Sequence, residues 1–292
     1  TKVGSTSPCQ DVVYIGAQGS GQTGADWEGL GAEVRMGLET YAGHLSGYTV
    51  GYFPVPYPAA PAGADVLLLG KNYQKTFFAS IDSGVNETLE FLKTRAQNCP
   101  DEHFVLSGYS QGAMVMHRTL AVLLKPSRKL APLASAVLWR LDGVLAIADG
   151  DRVPEQGGVV YGTAASNAMG VAWLAEAAGV KGTYRPMPGA IPSTAVWPAT
   201  RFHSVCNAHD LVCDFNHLTL DGLTIHSYDY RYGMDGEIFV GSAATNIART
   251  TRELQPKATI GELTIPDSKL RVGLSGAMYA IGTKDFEQDI VN

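Results

Sequence analysis

The hydrophobic residues of this chain alternate between short continuous runs and longer segments with helical spacing. The short runs are rich in β-branched residues and predict buried strands at residues 11–17, 48–55, 103–107, 143–148 and 202–205. The longer segments have an apolar residue every three or four positions and predict amphipathic helices through residues 27–45, 78–92 and 111–124. Strands that alternate with helices form βαβ units. The pattern therefore predicts an α/β fold, a three-layer α/β/α sandwich with a central, mostly parallel sheet.

Two parts of the chain lack this alternation. Residues 156–198 are rich in Gly, Ala and Pro, whereas residues 233–292 begin with a helical pattern and continue with strand-like or loop-like runs. The sequence shows no internal repeat and no clear linker. We predict a single domain over residues 1–292, with an insertion at 156–198 that lies over the active site and a C-terminal extension at 233–292.

Composition and charge exclude several classes of protein. The chain has 292 residues, of which 45% are hydrophobic and 17% charged, so it can bury a sizeable core and does not have the composition of a disordered protein. Its formal net charge of −6 offers no basic surface for nucleic acid or for an anionic membrane. We also predict no transmembrane segment, because no apolar run reaches the length of about 18 residues that a spanning helix needs.

The cysteines indicate an oxidising compartment. Their number is even, and two of the four, Cys206 and Cys213, lie close together in the sequence, as in an exported protein with two disulfides. Four cysteines allow three pairings, of which we favour Cys9–Cys99 with Cys206–Cys213. The chain starts at Thr1 without the basic and apolar segments of an export signal, so we expect that any such signal has been removed.

A candidate nucleophile lies between a predicted strand and a predicted helix. The pentapeptide Gly108-Tyr109-Ser110-Gln111-Gly112 matches the G-x-S-x-G pattern of a nucleophile elbow. Glycines two residues either side of the serine permit a strained turn that exposes the serine hydroxyl. We therefore predict that Ser110 is a nucleophile, and the alternative is an ordinary glycine-rich turn.

A nucleophilic serine needs a histidine base and a carboxylate that orients the base, and in hydrolases of this architecture these follow the serine as Asp or Glu and then His. Asp210 is favoured because it lies between Cys206 and Cys213, where a disulfide would hold its loop rigidly. His226 is favoured as the base, and His217 stays open as an alternative. Rival carboxylates occupy plainer loops: Asp142, Asp149, Asp151, Asp214 and Asp221.

The same region allows a metal site as an alternative. Residues of the types that bind zinc recur there at intervals of three or four positions: His203, Cys206, His209, Cys213 and His217. Their spacing matches no common zinc-finger pattern, and an oxidising compartment favours disulfides. We predict no metal.

The loop after the first strand is a candidate for binding the developing oxyanion. In an acyl transfer, backbone and hydroxyl donors stabilise that charge, and the Gln111 amide after the nucleophile is one such donor. The segment Gln18–Gln22 would supply another. A plain glycine turn or a phosphate cradle is the alternative, although the glycines of this loop do not form a clean dinucleotide fingerprint.

Taken together, these motifs resemble the cutinase family of secreted serine esterases. The resemblance rests on Cys9-x-Asp11 before the first strand, the Gly19-Ser20 loop, the Gly-Tyr-Ser-Gln-Gly elbow, and a Cys-x3-Asp-x2-Cys segment followed by a histidine, and it covers residues 9 to about 230. The run Ile147–Arg152 and the longer gap before Cys206 are more similar to the larger cutinase-like lipases of mycolate-containing bacteria.

The resemblance implies a role for each motif. Ser110, Asp210 and His226 would form a catalytic triad. Ser20 and Gln111 would form the oxyanion hole, and Cys9–Cys99 and Cys206–Cys213 would be the two family disulfides. Two positions depart from the family: Gln18 stands where an arginine is usual, and Gln22 where an acidic residue is usual.

The expected function is therefore that of a secreted or cell-wall-associated serine carboxylic ester hydrolase, a cutinase-like esterase or lipase that works through an acyl-enzyme. It would need no cofactor. Its substrates would be lipid or polyester esters, including long-chain or mycolate esters such as trehalose dimycolate, and it would contact a lipid surface transiently. The alternative is a catalytically retired protein that binds lipid or cell wall on the same scaffold.

Overall fold

The structure is a computed structural model that describes residues 1–22, 26–61, 71–173, 188–232 and 234–257. The sheet and helices discussed below lie in the compact unit Thr1–Pro256. The middle of the predicted insertion, residues 174–187, and most of the predicted extension, residues 258–292, lie outside the described residues. No helix of the described part is long and apolar enough to cross a membrane.

The described residues form a parallel sheet of six strands in the spatial order β2-β1-β3-β4-β6-β5. The strands are β1 (Val12–Ala17), β2 (Val50–Pro54), β3 (His103–Tyr109), β4 (Leu141–Ile147), β5 (Val159–Tyr161) and β6 (Phe202–Val205). Every residue of β1, β3 and β4 is buried, which explains why these strands appear as continuous apolar runs in the sequence.

Helices cover both faces of the sheet. They are α1 (Ala32–Gly43), α2 (Lys71–Asn98), α3 (Gln111–Leu124), α4 (Ala131–Val137) and α5 (Met234–Leu254). Helices α1 and α5 pack on one face, where Val34 and Ile247 belong to the same core cluster as Tyr14 of β1. Helices α2, α3 and α4 pack on the other face, where Ile81 and Val115 join the cluster of Ile15. The predicted three-layer α/β/α sandwich is confirmed.

The segment 156–198 is more closely integrated with the sheet than an added insertion would be. Its residues Val159–Tyr161 form the edge strand β5, and Ala172 donates a backbone hydrogen bond to Gly150 just after β4. At its far end, the Trp197 indole N–H donates to the Leu141 carbonyl at the start of β4, 2.9 Å away. The expected cover over the active site falls largely on 174–187, outside the described residues, and stays a prediction.

The segment predicted as a C-terminal extension also begins inside the fold. Residues Val240, Ala243 and Ile247 of α5 are fully buried against the sheet. Among the described residues, Met234–Leu254 thus packs beside α1 on this face of the sandwich and contributes to its core. The sequence pattern identified the helix but did not show that the core needs it.

The carboxyl ends of the parallel strands meet at one edge of the sheet, where ligands bind in open α/β folds. The loop with Ser20 follows β1, Ser110 follows β3, and the loop with Asp210 follows β6. The Cys9–Cys99 disulfide lies at the opposite edge, because its cysteines precede β1 and β3. Both predicted disulfides are present, so this prediction is confirmed.

Candidate active site

Ser110 lies in a sharp turn between β3 and α3. Its backbone has φ 54° and ψ −118°, a conformation that is costly for a residue with a Cβ atom. The Ser110 amide donates to the Ile147 carbonyl of β4 at 2.9 Å, which fixes the turn to the neighbouring strand. This is the geometry of a nucleophile elbow, in which the serine hydroxyl stands at the carboxyl edge of the sheet.

The two flanking glycines are sterically required. A Cβ atom at Gly108 would lie 2.1 Å from the Gly112 carbonyl oxygen, and one at Gly112 would lie 2.0 Å from the Ala17 carbonyl oxygen. Both obstacles are backbone atoms and cannot rotate away. Gly112 therefore permits the start of α3 to approach the end of β1 and the Gln18 carbonyl oxygen, which would lie 2.5 Å from the same Cβ atom.

The structure brings Ser110, His226 and Asp210 together from distant parts of the sequence. His226 Nε2 lies 3.0 Å from Ser110 Oγ, and His226 Nδ1 lies 3.0 Å from Asp210 Oδ2 and 3.2 Å from Asp210 Oδ1. An ionised carboxylate only accepts hydrogen bonds, so Nδ1 carries the proton and Nε2 is free to accept from the serine hydroxyl. The three side chains thus form a continuous hydrogen-bonded chain that can move a proton away from Ser110.

Asp210 is held in the short loop that the Cys206–Cys213 disulfide closes. The carboxylate is fully buried, and its Oδ1 accepts the amide N–H groups of Val212 at 2.6 Å and Cys213 at 2.9 Å. Burial alone would raise the pKa of Asp210, but the His226 ring and these two amides together lower it below its ordinary value. The carboxylate is therefore ionised at neutral pH and keeps a fixed orientation toward His226.

His226 belongs to a short helical segment before α5, which we call the histidine helix. It consists of Gly222–Thr224, the π-helical turn Ile225–Asp229, and Tyr230–Tyr232. Such π-turns are rare and are frequently found at functional sites. The Tyr109 ring stacks on the imidazole with the centroids 5.2 Å apart, and the Tyr109 hydroxyl donates to the His226 carbonyl at 2.5 Å. Tyr109, the residue before Ser110, thus contacts His226 through both its ring and its hydroxyl group.

The rival carboxylates are engaged elsewhere or lie apart. Asp142 bonds His103, Asp149 bonds His117, Asp151 bonds Arg118, and Asp214 bonds His217. Asp221 is exposed at the start of the histidine helix. His217 therefore faces Asp214, at 2.6 Å, while His226 is the histidine that reaches Ser110.

The alternative metal site is not assembled. Cys206 and Cys213 are joined in a disulfide, which removes the two thiolates that a zinc ion would need. His203 points instead to Tyr161, with Nδ1 3.0 Å from the phenol oxygen. Within the described ranges, no group of three or more His, Cys, Asp or Glu side chains is placed to hold a metal ion.

The loop after β1 contains Ser20, the predicted oxyanion donor. The Ser20 hydroxyl is buried, and no partner for it is found among the described residues. A buried hydroxyl without a partner is costly, which suits a group that bonds a ligand. The Gln111 amide is one of the first N–H groups of α3 and has no partner within the helix. The Gln111 side chain is occupied, since it bonds Ser80 and the Ala60 carbonyl.

Local contacts hold this loop although two of its positions depart from the family pattern. Gln22 Oε1 accepts the Gly19 amide N–H at 2.8 Å, while Gln22 Nε2 donates to Glu33 Oε2 at 2.6 Å. The Gln18 backbone carbonyl accepts a hydrogen bond from the Tyr57 hydroxyl. The loop is therefore anchored even though the usual arginine and acidic residue are absent.

Sequence reasoning missed three residues near the site. Tyr109 lies inside the elbow motif, but the motif places no requirement on that position. Glu33 is a buried acidic residue on the apolar side of α1, and Arg231 bonds it from the histidine helix at 3.3 Å. An acidic residue beside the apolar stripe of a helix was the available signal for Glu33. Nothing local indicated Arg231.

The sequence matches the profile of the family described as Cutinase over residues 8–244. The chain belongs to the cutinase family. The matched region runs from the segment before β1 into α5 and contains each of the residues that meet at the site. It also includes all six strands of the described sheet, so the family resemblance inferred from the motifs is confirmed.

Individual cutinase relatives match over shorter stretches. A cutinase of Hypocrea jecorina is 32% identical over 116 residues, which are 40% of this chain and 40% of that protein. The carboxylesterase Culp1 of Mycobacterium tuberculosis is 27% identical over 109 residues, which are 37% of this chain and 42% of that protein. The aligned regions thus span about two-fifths of these relatives.

Solved structures share the cutinase-family fold. The catalytic core domain of an acetyl xylan esterase from Trichoderma reesei superposes with a TM-score of 0.52 at 20% identity, and covers 81% of this chain and 100% of that one. A cutinase-like protein from Cryptococcus sp. gives a TM-score of 0.50 at 19% identity, with 81% and 94% coverage. At these identities the likeness shows the fold alone.

Proposed function

We propose that this cutinase-family protein is a serine carboxylic ester hydrolase. The observation that carries the proposal is the chain of hydrogen bonds from Ser110 through His226 to Asp210, with 3.0 Å from Nε2 to the serine oxygen. A nucleophile bonded to a base, which a third group orients, is the arrangement that activates a serine for acyl transfer.

In the acylation step, His226 Nε2 takes the Ser110 proton as Oγ attacks the ester carbonyl carbon. The tetrahedral intermediate then collapses, the bond to the alcohol oxygen breaks, and His226 returns the proton to the leaving alcohol. In the second half, His226 removes a proton from water, the resulting hydroxide attacks the acyl-enzyme, and Ser110 leaves with that proton. Asp210 stabilises the imidazolium that forms in each half.

The oxyanion of each intermediate would be bound by the Gln111 amide and by Ser20. The Gln111 amide lies at the N-terminus of α3, where the helix dipole favours negative charge. The Ser20 hydroxyl has a donor proton that the described residues do not engage. Donors of this kind contribute roughly 10²–10³-fold to kcat when they are already oriented.

The test is hydrolysis of p-nitrophenyl esters by the full chain and by Ser110→Ala, with a fluorophosphonate probe to count reactive serines. We expect turnover and stoichiometric labelling for the natural protein and loss of both in the variant. Ser193→Ala is a matched control, because the Ser193 hydroxyl bonds the Ala199 amide away from the carboxyl edge. Absence of labelling and turnover in the natural protein would support a retired, lipid-binding scaffold instead.

We further propose that the substrates are lipid or polyester esters with long acyl chains, met at a surface. Large apolar side chains are exposed around the histidine helix: Leu218, Leu220, Leu223, Tyr228 and Tyr232. Exposed apolar side chains that cluster near a site mark a surface for an apolar partner. Leu220 is fully exposed, so it gains none of the free energy that burial of a leucine side chain provides.

This substrate proposal is tested by comparing a soluble short-chain ester with long-chain esters in emulsions or vesicles, including trehalose dimycolate. We expect Leu220→Ser with Leu223→Ser to lower turnover on the dispersed lipids and to leave the soluble ester unchanged. Val196→Ser is the control, since Val196 is similarly exposed but adjoins Trp197, which bonds the opposite edge of the sheet. Equal effects on both substrate forms would contradict the surface role.

We propose that the protein acts outside the cytoplasm, as a secreted or cell-wall-associated enzyme. The support is the pair of disulfides, since such bonds persist in oxidising compartments. Fractionation of the native host, with detection in the culture medium and wall fraction, is the direct measurement. Recovery in the cytosol with reduced thiols would contradict it.

A further inference from the structure

The triad makes no use of a carboxylate buried close to it. Glu33 lies in the first turn of α1 and is 1% exposed. A buried carboxylate persists only when its charge and both oxygens are satisfied. Glu33 Oε2 accepts from Gln22 Nε2 at 2.6 Å, and Glu33 Oε1 accepts from Arg231 Nε and a terminal guanidinium nitrogen, each at 3.3 Å.

The two partners of Glu33 belong to different parts of the active site. Gln22 ends the loop that contains Ser20, and its Oε1 fixes that loop through the Gly19 amide. Arg231 follows His226 in the histidine helix, five residues along the chain. Gly31 makes the Gln22 contact feasible, because a Cβ atom there would lie 2.3 Å from Gln22 Oε1. A single carboxylate thus joins the oxyanion loop to the histidine helix.

We infer that Glu33 is a positioning residue that couples the oxyanion loop to the catalytic histidine through Gln22 and Arg231. The inference deepens the proposed esterase function and rests on it. Glu33 touches neither Ser110 nor His226, so its effect passes through the two neighbours. The geometry of the transition-state donors relative to the base then depends on this carboxylate, and a misplacement of about 1 Å costs up to roughly 10²-fold in rate.

Hydrogen-bond counting shows why an acid is needed at position 33. A carboxylate can accept from Gln22 and from Arg231 at once, whereas an amide has one acceptor oxygen and an NH₂ group that only donates. In Glu33→Gln the NH₂ group must therefore face either the Gln22 amide or the Arg231 guanidinium, both donors. One of the two connections breaks whichever way this amide turns; if the Gln22 amide turns instead to offer its oxygen, its NH₂ group meets the Gly19 N–H and that bond breaks.

The same hydrogen-bond count identifies a double substitution that restores every bond. In Gln22→Glu alone, two carboxylates meet across 2.6 Å and can bind there only by sharing a proton. In the double variant Gln22→Glu with Glu33→Gln, the acid at position 22 accepts from Gly19 and from the new amide, whose oxygen accepts from Arg231. The acid then occupies the position that is usual in the family.

The experiment measures kcat and KM on a soluble p-nitrophenyl ester for the full chain, normalised to fluorophosphonate-reactive serine. We expect Glu33→Gln to lower kcat roughly 10–100-fold with KM changed less than about twofold, and the double variant to recover most of kcat. Glu39→Gln is the matched control on α1, since Glu39 is exposed and pairs with Arg35.

The pH profile separates positioning from a merely structural role. For Gln22→Glu, the ratio of its kcat to that of the natural protein should rise as the pH falls, because the carboxyl pair gains its shared proton. The charged or titratable groups that face this pair, among the described residues, are Arg231 and the Tyr109 phenol. Both groups keep one protonation state in the range of the assay, so the change of the kcat ratio with pH reports the protonation of the carboxyl pair.

The outcomes are distinct. If Glu33→Gln lowers thermal stability but leaves kcat per reactive serine unchanged, or if the double variant is no better than the single ones, Glu33 has no positioning role and the inference is overturned. If the natural protein has no Ser110-dependent turnover, the proposed esterase function fails and the inference fails with it. Loss in both single variants with recovery in the double variant supports it.

Discussion

The Tyr109 hydroxyl donates a hydrogen bond to the backbone carbonyl of His226 at 2.5 Å while its ring lies against the imidazole. The two residues are 117 positions apart in the chain. The elbow that presents Ser110 therefore also supports the histidine that faces it. Burial, followed by the nearby Glu33 and Asp210 charges, raises the pKa of Tyr109 well above its ordinary value, so the phenol stays a donor.

Tyr109→Phe should lower kcat about fivefold with little change in KM, because a lost hydrogen bond costs about 1 kcal/mol while the stacked ring remains. Tyr109→Ala should lower kcat further, since it also removes the ring under the imidazole. The measurement is steady-state kinetics on a soluble ester, with fluorophosphonate labelling to correct for folded protein. A Phe variant that loses stability and keeps full kcat would contradict this support of His226.

The two disulfides should separate stability from catalysis. Replacing Cys9 and Cys99 by Ala should lower the free energy of unfolding by about 4–5 kcal/mol, because the bond closes a loop of 90 residues far from the site. Replacing Cys206 and Cys213 should cost only about 2–3 kcal/mol, since that loop spans 7 residues. The Cys206 and Cys213 replacement should nevertheless reduce kcat more than the Cys9 and Cys99 replacement, because its loop holds Asp210.

Denaturant unfolding and ester kinetics on the two double variants check this separation. Kinetics are measured well below each variant's unfolding transition, so that lost fold does not count as lost catalysis. Equal kcat for the Cys206 and Cys213 pair and for the natural protein would show that the loop keeps Asp210 in place without the bond.

The sequence predicted most strands and helices of the sandwich because each is determined by residues that are neighbours in the chain. Helix α3 was expected at residues 111–124 and is found at Gln111–Leu124, since the elbow sets its start and Lys125-Pro126 follows its end. Strand β5 was missed because it has only three residues, of which Val160 is exposed and the other two are half-buried, so it is too short to give a clear strand pattern. It is defined by its parallel pairing with β6 at the edge of the sheet, a long-range contact.

The candidate site was predicted only as far as short motifs extend. Ser110 and Asp210 are marked by flanking glycines or cysteines, but the choice of His226 over His217 depends on which side chain reaches the elbow in space. The contact of Glu33 with Arg231 joins positions 198 residues apart, so no local pattern could indicate it. Tertiary packing supplies that information.

Gly112→Ala should both destabilise the fold and abolish activity. The added methyl group would meet the Ala17 carbonyl oxygen at 2.0 Å, and this obstacle is backbone that belongs to β1. Relief requires α3 to move away from β1, which displaces the serine from the oxyanion loop. We expect a loss of about 3 kcal/mol in unfolding free energy or failure to fold.

Gly241→Ala is the matched control for the elbow substitution. Gly241 lies inside α5, and the nearest atom to an added Cβ is 4.0 Å away, so the methyl group fits. A Gly→Ala change at this half-buried but uncrowded helical position should stabilise by about 0.5–1 kcal/mol and leave kcat unchanged. Thermal denaturation and ester kinetics test both variants, and a stable, active Gly112→Ala protein would show that the elbow tolerates a Cβ atom.

The last prediction concerns His203 of β6 and the pH dependence of stability. Asn246 donates to the Tyr161 phenol oxygen at 2.8 Å, so the phenol proton points to His203 Nδ1 at 3.0 Å. The imidazole is therefore neutral, and burial, with a smaller effect of Arg249, lowers the pKa of His203 to about 4. In the unfolded chain this histidine titrates near the ordinary pKa of about 6.5. Between pH of about 4 and 6.5, the folded protein therefore binds fewer protons than the unfolded chain.

Stability contributed by neutral His203 is thus present above pH of about 6.5 and is lost as the pH falls toward 4. The loss between pH 7 and pH 5 should be about 2 kcal/mol, since each pH unit in that window corresponds to about 1.4 kcal/mol. His203→Gln offers an acceptor to Tyr161 but does not titrate. Urea unfolding at both pH values should show a smaller pH-dependent loss in this variant than in the natural protein. The same loss in both would mean that His203 is not the group that makes the fold acid-sensitive.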